Sequence, residues 1–173
     1  MAATKIFLIG FMGSGKTTLA PKLANKLGYP NFDLDTIIEA EKGQSISSLF
    51  ASQGEKKFRE FEIEALKRFI TENENFVLAT GGGTPCFGDS INLMNSSGIT
   101  IYLELSAKTL AQRIIPAKNN RPLLANLSDD ELVEYIEKKL AERSSHYKKS
   151  LIKIDGLSVK IDALTDIIQR YSK

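Results

Sequence analysis

Residues 10–17 read Gly-Phe-Met-Gly-Ser-Gly-Lys-Thr, the pattern of a phosphate-binding loop. Such a loop turns backbone N–H groups inward on a polyphosphate, and the positive end of the helix behind it favours the same charge. Gly10, Gly13 and Gly15 let the chain curl, Lys16 is placed to reach the β- and γ-phosphates, and the Thr17 hydroxyl suits Mg²⁺. Further along, Phe32-Asp33-Leu34-Asp35 sets two carboxylates two residues apart. On extended chain they face the same way. A phosphoryl-transfer site needs such groups to organise Mg²⁺ and its waters and to orient, or deprotonate, an attacking hydroxyl. Aspartate also caps helices, so a helix starting near Thr36 has an equal claim on either residue.

Helical spacing exposes two arginines among apolar neighbours. Arg59, Ile63, Leu66 and Ile70 share one helical face, and Leu132, Ile136, Leu140, Arg143 and Tyr147 share another. A guanidinium at the end of such a stripe either snorkels to water or meets an anion. Paired arginines suit a planar carboxylate better than lysines, because the fork binds it at two points. Glu62, three residues on, is spaced to hold Arg59. Thr80-Gly81-Gly82-Gly83 either lets a ligand approach the backbone closely or forms a plain turn. Many phosphate-loop enzymes carry an aspartate where Thr80 stands, which leaves Asp33 as the metal-organising carboxylate. Pro116–Leu124 is a polar loop holding Lys118 and Arg121, either merely solvated or a lid that carries a cation to the transferring phosphate.

These residues need a frame to hold them. The apolar run Ile6–Ile9 precedes the phosphate loop and an amphipathic stretch with Leu19, Leu23 and Leu27 follows it, so the motif sits at a strand-to-helix turn. Strands are expected at Lys5–Ile9, Asn31–Asp33, Phe76–Ala79, Thr100–Leu105 and Leu151–Ile154. Helices are expected at Lys16–Leu27, Thr36–Lys42, Glu55–Glu72, Ile91–Asn95, Ala107–Ile115, Asp129–Tyr147 and Ile161–Tyr171. Capping boxes mark two starts, Thr36 with Glu39 and Ser128 with Glu131, and Pro21 must cost the first helix a backbone bond or bend it. The alternation predicts an α/β fold, a parallel sheet covered by helices on both faces. Ligands then bind beyond the carboxyl ends of the strands, which brings residues 10–17, 33–35 and 80–83 to one rim.

Composition narrows the class further. A chain of 173 residues is expected to form one domain with a single core. Its 42% hydrophobic and 25% charged residues are ordinary for a globular protein, and a net charge of +2 gives no reason to invoke nucleic acid or a membrane surface. Cys86 is alone, which excludes an internal disulfide and fits a reducing, cytoplasmic setting. Ile6–Ile9 is too short to span a membrane and lacks a small-residue cleavage site.

Gly10–Thr18, Phe32-Asp33-x-Asp35, Phe58-Arg59-x-x-Glu62, Thr80-Gly81-Gly82-Gly83, Arg121-Pro122-Leu123-Leu124 and Arg143-x-x-x-Tyr147 stand in an order and spacing that resemble the shikimate kinase family, from about Lys5 to the last helix. The resemblance implies a five-stranded parallel sheet in three α/β/α layers, a P-loop fold of the nucleoside monophosphate kinase type. It implies a substrate-binding region at about 33–62, a lid at about 116–124, and transfer of the γ-phosphate of ATP to the 3-hydroxyl of shikimate on the way to chorismate. A monomer is expected, with shikimate and ATP as its partners.

Carried onto this chain, the family pattern gives Asp35 the ring hydroxyls and the proton of the attacking one. Arg59 and Arg143 grip the substrate carboxylate, Gly82 offers its backbone, and Phe50 and Phe58 wall the pocket. Gly13, Ser14, Gly15, Lys16, Thr17 and Thr18 hold the nucleotide, with Arg113 against adenine. Thr17 ligates Mg²⁺ directly and Asp33 through water, while Lys16 and Arg121 neutralise the moving phosphoryl group. The loop after Asp155 closes the other side of the base, with no residue singled out. The chain departs from the family at Pro21-Lys22 and at Lys148-Lys149-Ser150, where a carboxylate is usual. His146 matches no role and is expected at the surface. Two other functions remain open: a kinase for another small metabolite, of gluconate or nucleotide type, and a nucleotide-binding module without catalysis.

Overall fold

The computed structural model describes residues 4–120 and 124–171, and Arg121 lies outside them. Among the described residues five strands are interspersed with seven α-helices: β1 (Lys5–Ile9), α1 (Lys16–Leu27), β2 (Asn31–Asp33), α2 (Leu34–Lys42), α3 (Ile46–Glu72), β3 (Phe76–Ala79), α4 (Ser90–Ser97), β4 (Ile99–Glu104), α5 (Ala107–Ile114), α6 (Asp129–Tyr147), β5 (Ile152–Asp155) and α7 (Ile161–Tyr171). The strands form one parallel sheet in the order β2-β3-β1-β4-β5. β1 is central, so the loop that leaves it emerges where the chain order reverses, the usual crevice for ligands in such sheets.

The period of two along each strand divides the core. Phe7, Ile9, Phe76, Leu78 and Tyr102 face α2, α3 and α4, whereas Ile6, Leu8, Val77, Ala79, Ile101 and Ile152 face α1 and α7. A third cluster packs Phe11 with Leu110, Ile114, Leu124, Leu132 and Ile136, fastening α5 and α6 beside the phosphate loop.

Several boundaries differ from the sequence-based expectation. Helix α2 begins at Leu34, two residues early, because the carboxylate of Asp33 accepts the Asp35 N–H and caps the helix. The capping box expected at Thr36 and Glu39 does not form; Glu39 Oε1 instead accepts the Ile46 N–H at 2.8 Å. Helix α3 starts at Ile46, capped by Ser45, rather than at Glu55, and turns at Gly54. β4 runs one residue early and β5 one late, α4 extends at both ends, and α5 gives way after Ile114 to a 3-10 segment. The capping box of Ser128 and Glu131 is present. Pro21 lies on the exposed side of α1 and leaves the Thr17 carbonyl without its helical donor.

Candidate active site

The phosphate loop is held open by its own lysine. Lys16 Nζ donates to the carbonyls of Gly10 and Phe11 at 2.8 and 2.9 Å, and Lys16 is 8% exposed. Gly10 has φ +144° and leaves no room for a side chain: a Cβ there would stand 2.9 Å from the Leu103 carbonyl oxygen. The hydroxyl of Ser14 is buried within the loop without a partner, the state of a polar group that awaits a ligand.

A cavity of about 630 Å³ opens from the loop, lined by Gly13–Thr18, Lys22, Arg113, Gly156, Leu157 and Val159. Arg113 fixes two of its walls, donating to the Ser14 carbonyl at 3.2 Å and to the Gly156 carbonyl at 3.4 Å. Leu157, 63% exposed, and Val159 supply an apolar edge that sequence reasoning left unnamed. Both lie in a loop without periodicity, and only the topology brings them opposite Arg113.

Asp33 uses both oxygens. Oδ1 caps α2, and Oδ2 accepts the Thr17 hydroxyl at 3.0 Å. A hydroxyl and a carboxylate oxygen side by side at the loop are hard donors of the kind Mg²⁺ takes when phosphates and water complete its shell. Among the described residues there is no cluster of three or more His, Cys, Asp or Glu able to hold a metal alone. Thr80, where an aspartate is common, instead donates its hydroxyl to the Leu8 carbonyl at 3.1 Å and ties β3 to β1.

Asp35 lies two residues on from Asp33, in the first turn of α2. Burial, then the nearby Asp33 and Glu62, push its carboxyl up to about 6, against the pull of Lys16. It meets Glu62 over the glycine run: a Cβ on Gly81 would stand 2.7 Å from Glu62 Oε1 and 3.3 Å from Asp35 Oδ1.

Arg59 is 12% exposed at the side chain and lies on this same floor, where a Cβ on Gly83 would come 2.5 Å from its Nη2. Nη1 donates to Glu62 at 2.7 Å and Nη2 to Glu55 at 3.3 Å, while Nε is buried without a partner. The rings of Phe87, Phe58 and Phe50 surround the guanidinium at 4.3, 5.2 and 5.7 Å. Phe50 and Phe58 were expected as walls; Phe87, the nearest of the three, was not, because it lies in a loop outside every periodic segment.

Arg143 stands 5.4 Å from the Phe11 ring of the phosphate loop. Cys86 sits in the field of both arginines, and burial still pushes its thiol up to about 11. One turn beyond Arg143, fully buried Tyr147 donates to the Gly82 carbonyl at 2.6 Å and ties α6 to the glycine run. His146 is half-buried, with its Nδ1 3.4 Å from the Ser145 hydroxyl, outside this group. One rim therefore presents a phosphate loop, a buried carboxylate and two arginines.

A family model for shikimate kinase matches residues 12–171. The chain belongs to the shikimate kinase family. It is 42% identical over 171 residues to the shikimate kinase of Phocaeicola vulgatus, covering 96% of this chain and 97% of that one. The crystal structure of shikimate kinase from Bacteroides thetaiotaomicron superposes with a TM-score of 0.89 at 37% identity, over 98% of both chains. Shikimate kinase from Acinetobacter baumannii in complex with shikimate superposes with a TM-score of 0.84 at 29% identity, over 98% of this chain and 93% of that one. The three-layer sheet that the family resemblance implies is the one this shikimate kinase family member has. Among its described residues no helix is long and apolar enough to cross a membrane.

Proposed function

We propose that the chain transfers the γ-phosphoryl group of ATP to the 3-hydroxyl of shikimate, giving shikimate 3-phosphate and ADP. The observation that carries this is the floor over Gly81–Gly83, where the Asp35 carboxylate and the Arg59 guanidinium converge beside the phosphate loop. A small hydroxylated ring with one carboxylate matches that floor. Arg59, with Arg143, takes the carboxylate, and the unpartnered Nε is a donor for it. Gly82 offers its backbone to a ring hydroxyl, with Phe50 and Phe58 against the ring.

Asp35 accepts the proton of the 3-hydroxyl as that oxygen bonds to the γ-phosphorus. The bond to the bridging oxygen breaks and ADP leaves with the electron pair. The transition state is loose, so holding the hydroxyl in line contributes as well as removing its proton. Lys16 moves from the loop carbonyls to the phosphates. Gly13, Ser14, Gly15 and Thr18 cradle those phosphates, and Arg113 lies against the base opposite Leu157. Thr17 and Asp33 would hold Mg²⁺, Thr17 as a ligand and Asp33 through water, and the ion would supply charge neutralisation on the phosphates.

A coupled ADP-release assay with MgATP and shikimate, gluconate or nucleoside monophosphates tests the proposal. Turnover confined to shikimate is expected, and turnover with another acceptor overturns it. A companion test addresses the grip. Arg59→Lys replaces a fork by a point charge, so shikimate affinity should fall by about 1.5–3 kcal/mol, the range for a hydrogen bond to a charged group, with ADP affinity unchanged. Separate calorimetric titrations of shikimate and ADP measure both.

A further inference from the structure

Arg59 has a long, rotamer-rich side chain, and a carboxylate clamp works only if its fork is held still before the ligand arrives. Glu62 holds it, and the structure shows what holds Glu62. Thr84 opens the 3-10 turn Thr84–Cys86 that follows the glycine run, and its hydroxyl donates to Glu62 Oε1 at 2.5 Å. Thr84 and Glu62 are each 1% exposed, so water does not reach this bond. The other oxygen, Oε2, accepts Arg59 Nη1 at 2.7 Å.

The buried carboxylate is thus pinned at both ends, a hydroxyl on one oxygen and a guanidinium on the other. We propose that Thr84 is a positioning residue for substrate binding, acting through Glu62 on Arg59; this rests on Arg59 being the carboxylate clamp. The same short segment supplies floor and anchor, since Gly83 lies under the guanidinium and Thr84 is the next residue. Without the hydroxyl, Oε1 is left buried and unsatisfied, and the carboxylate turns to place both oxygens on Arg59. The fork then follows Glu62 instead of facing the substrate. With the hydroxyl in place, Glu62 occupies Nη1 alone and Nε stays available to an anion.

Thr84→Val removes the donor at nearly constant shape, and Thr84→Ser keeps it. Thr84→Val should raise the shikimate Kd and KM roughly 3- to 10-fold, the loss of one charge-assisted hydrogen bond passed on in part, with kcat and the KM for ATP within about twofold. Thr84→Ser should behave as the parent. In an Arg59→Gln background Thr84→Val should cost less than about twofold more, because its route to the substrate is already cut. Calorimetric binding of MgADP checks that each variant is folded; if Thr84→Val fails there, Thr84→Ala against Thr84→Ser gives the same comparison. A parent-like Thr84→Val, a Thr84→Ser as poor as Thr84→Val, or equal losses in both backgrounds overturns the proposal while leaving the clamp intact. An Arg59→Gln variant with unchanged shikimate affinity overturns the clamp and Thr84's role together.

Discussion

Asp35→Asn should lower turnover by roughly 10²–10⁴-fold, the range for a general base, with nucleotide affinity nearly unchanged. The substitution keeps the size of the side chain and removes its charge and its proton-accepting oxygen. Two further readouts follow from the carboxyl being pushed up to about 6 by burial and by Asp33 and Glu62. First, the ionised form is the acceptor, so kcat/KM for shikimate should fall as pH drops through about 6, and this acidic limb should vanish in the asparagine variant. Second, the folded chain binds this proton more tightly than the unfolded chain, whose ordinary value is 3.8. Folding stability therefore declines as pH rises from about 4 to about 6, and above that range the buried charge is a standing cost. Asp35→Asn should raise the melting temperature at pH 7.5 by roughly 2–4 °C while it removes activity. Initial rates across pH and parallel thermal melts check both; near-normal turnover in the folded variant rules out the assigned role.

Arg121→Ala should lose still more, roughly 10³–10⁵-fold in kcat, the value of a cation placed on a transferring phosphoryl group. Its assignment comes from the Arg-Pro-Leu-Leu pattern, since Arg121 lies outside the described residues. The chain on either side is well anchored. Ile114, 2% exposed, stands 3.0 Å from where a Cβ on Gly13 would be, and Leu124, also 2% exposed, returns to the α5–α6 core. The end of α5 therefore lies against the phosphate loop. Shikimate binding without ATP should be retained in the variant, because the lost contact belongs to the phosphate. Single-turnover rates and shikimate titration separate the two; a variant that turns over at the parental rate takes Arg121 out of the chemistry.

Some of this was legible residue by residue. The phosphate loop, β1, α1 and β3 carry dense local signals: a glycine-spaced signature, short apolar runs and a clean helical stripe. The start of α2 was not, because Asp33 and Thr36 both satisfy the rules for a cap, and only the fold shows which side chain meets a free N–H. The first part of α3 went unseen for a different reason. Residues 46–53 offer only Ile46, Leu49, Phe50 and the small Ala51 as apolar markers before Gly54, too few to establish a period. Within the site, Arg59 and Arg143 stood out because a charge on an apolar stripe is conspicuous. Thr84, Phe87 and Tyr147 act through partners 22, 28 and 65 residues away. No local pattern encodes such pairings.

Gly54 has a geometric consequence for the cage around Arg59. In an unbroken helix, Phe50 and Arg59 are nine positions apart, about 900° of rotation at 100° per residue, and point to opposite sides of the rod. Here the Phe50 ring lies 5.7 Å from the Arg59 guanidinium. The bend at Gly54, with φ 77° and ψ 168°, is what brings the two onto a shared pocket. A Cβ at Gly54 would meet nothing within 4 Å, so the space tolerates alanine but the backbone angles do not. Alanine there favours the straight rod by about 1 kcal/mol of helix propensity. What is gained in helix is lost in aim: a sturdier α3 would turn Phe50 away from the arginine it now encloses.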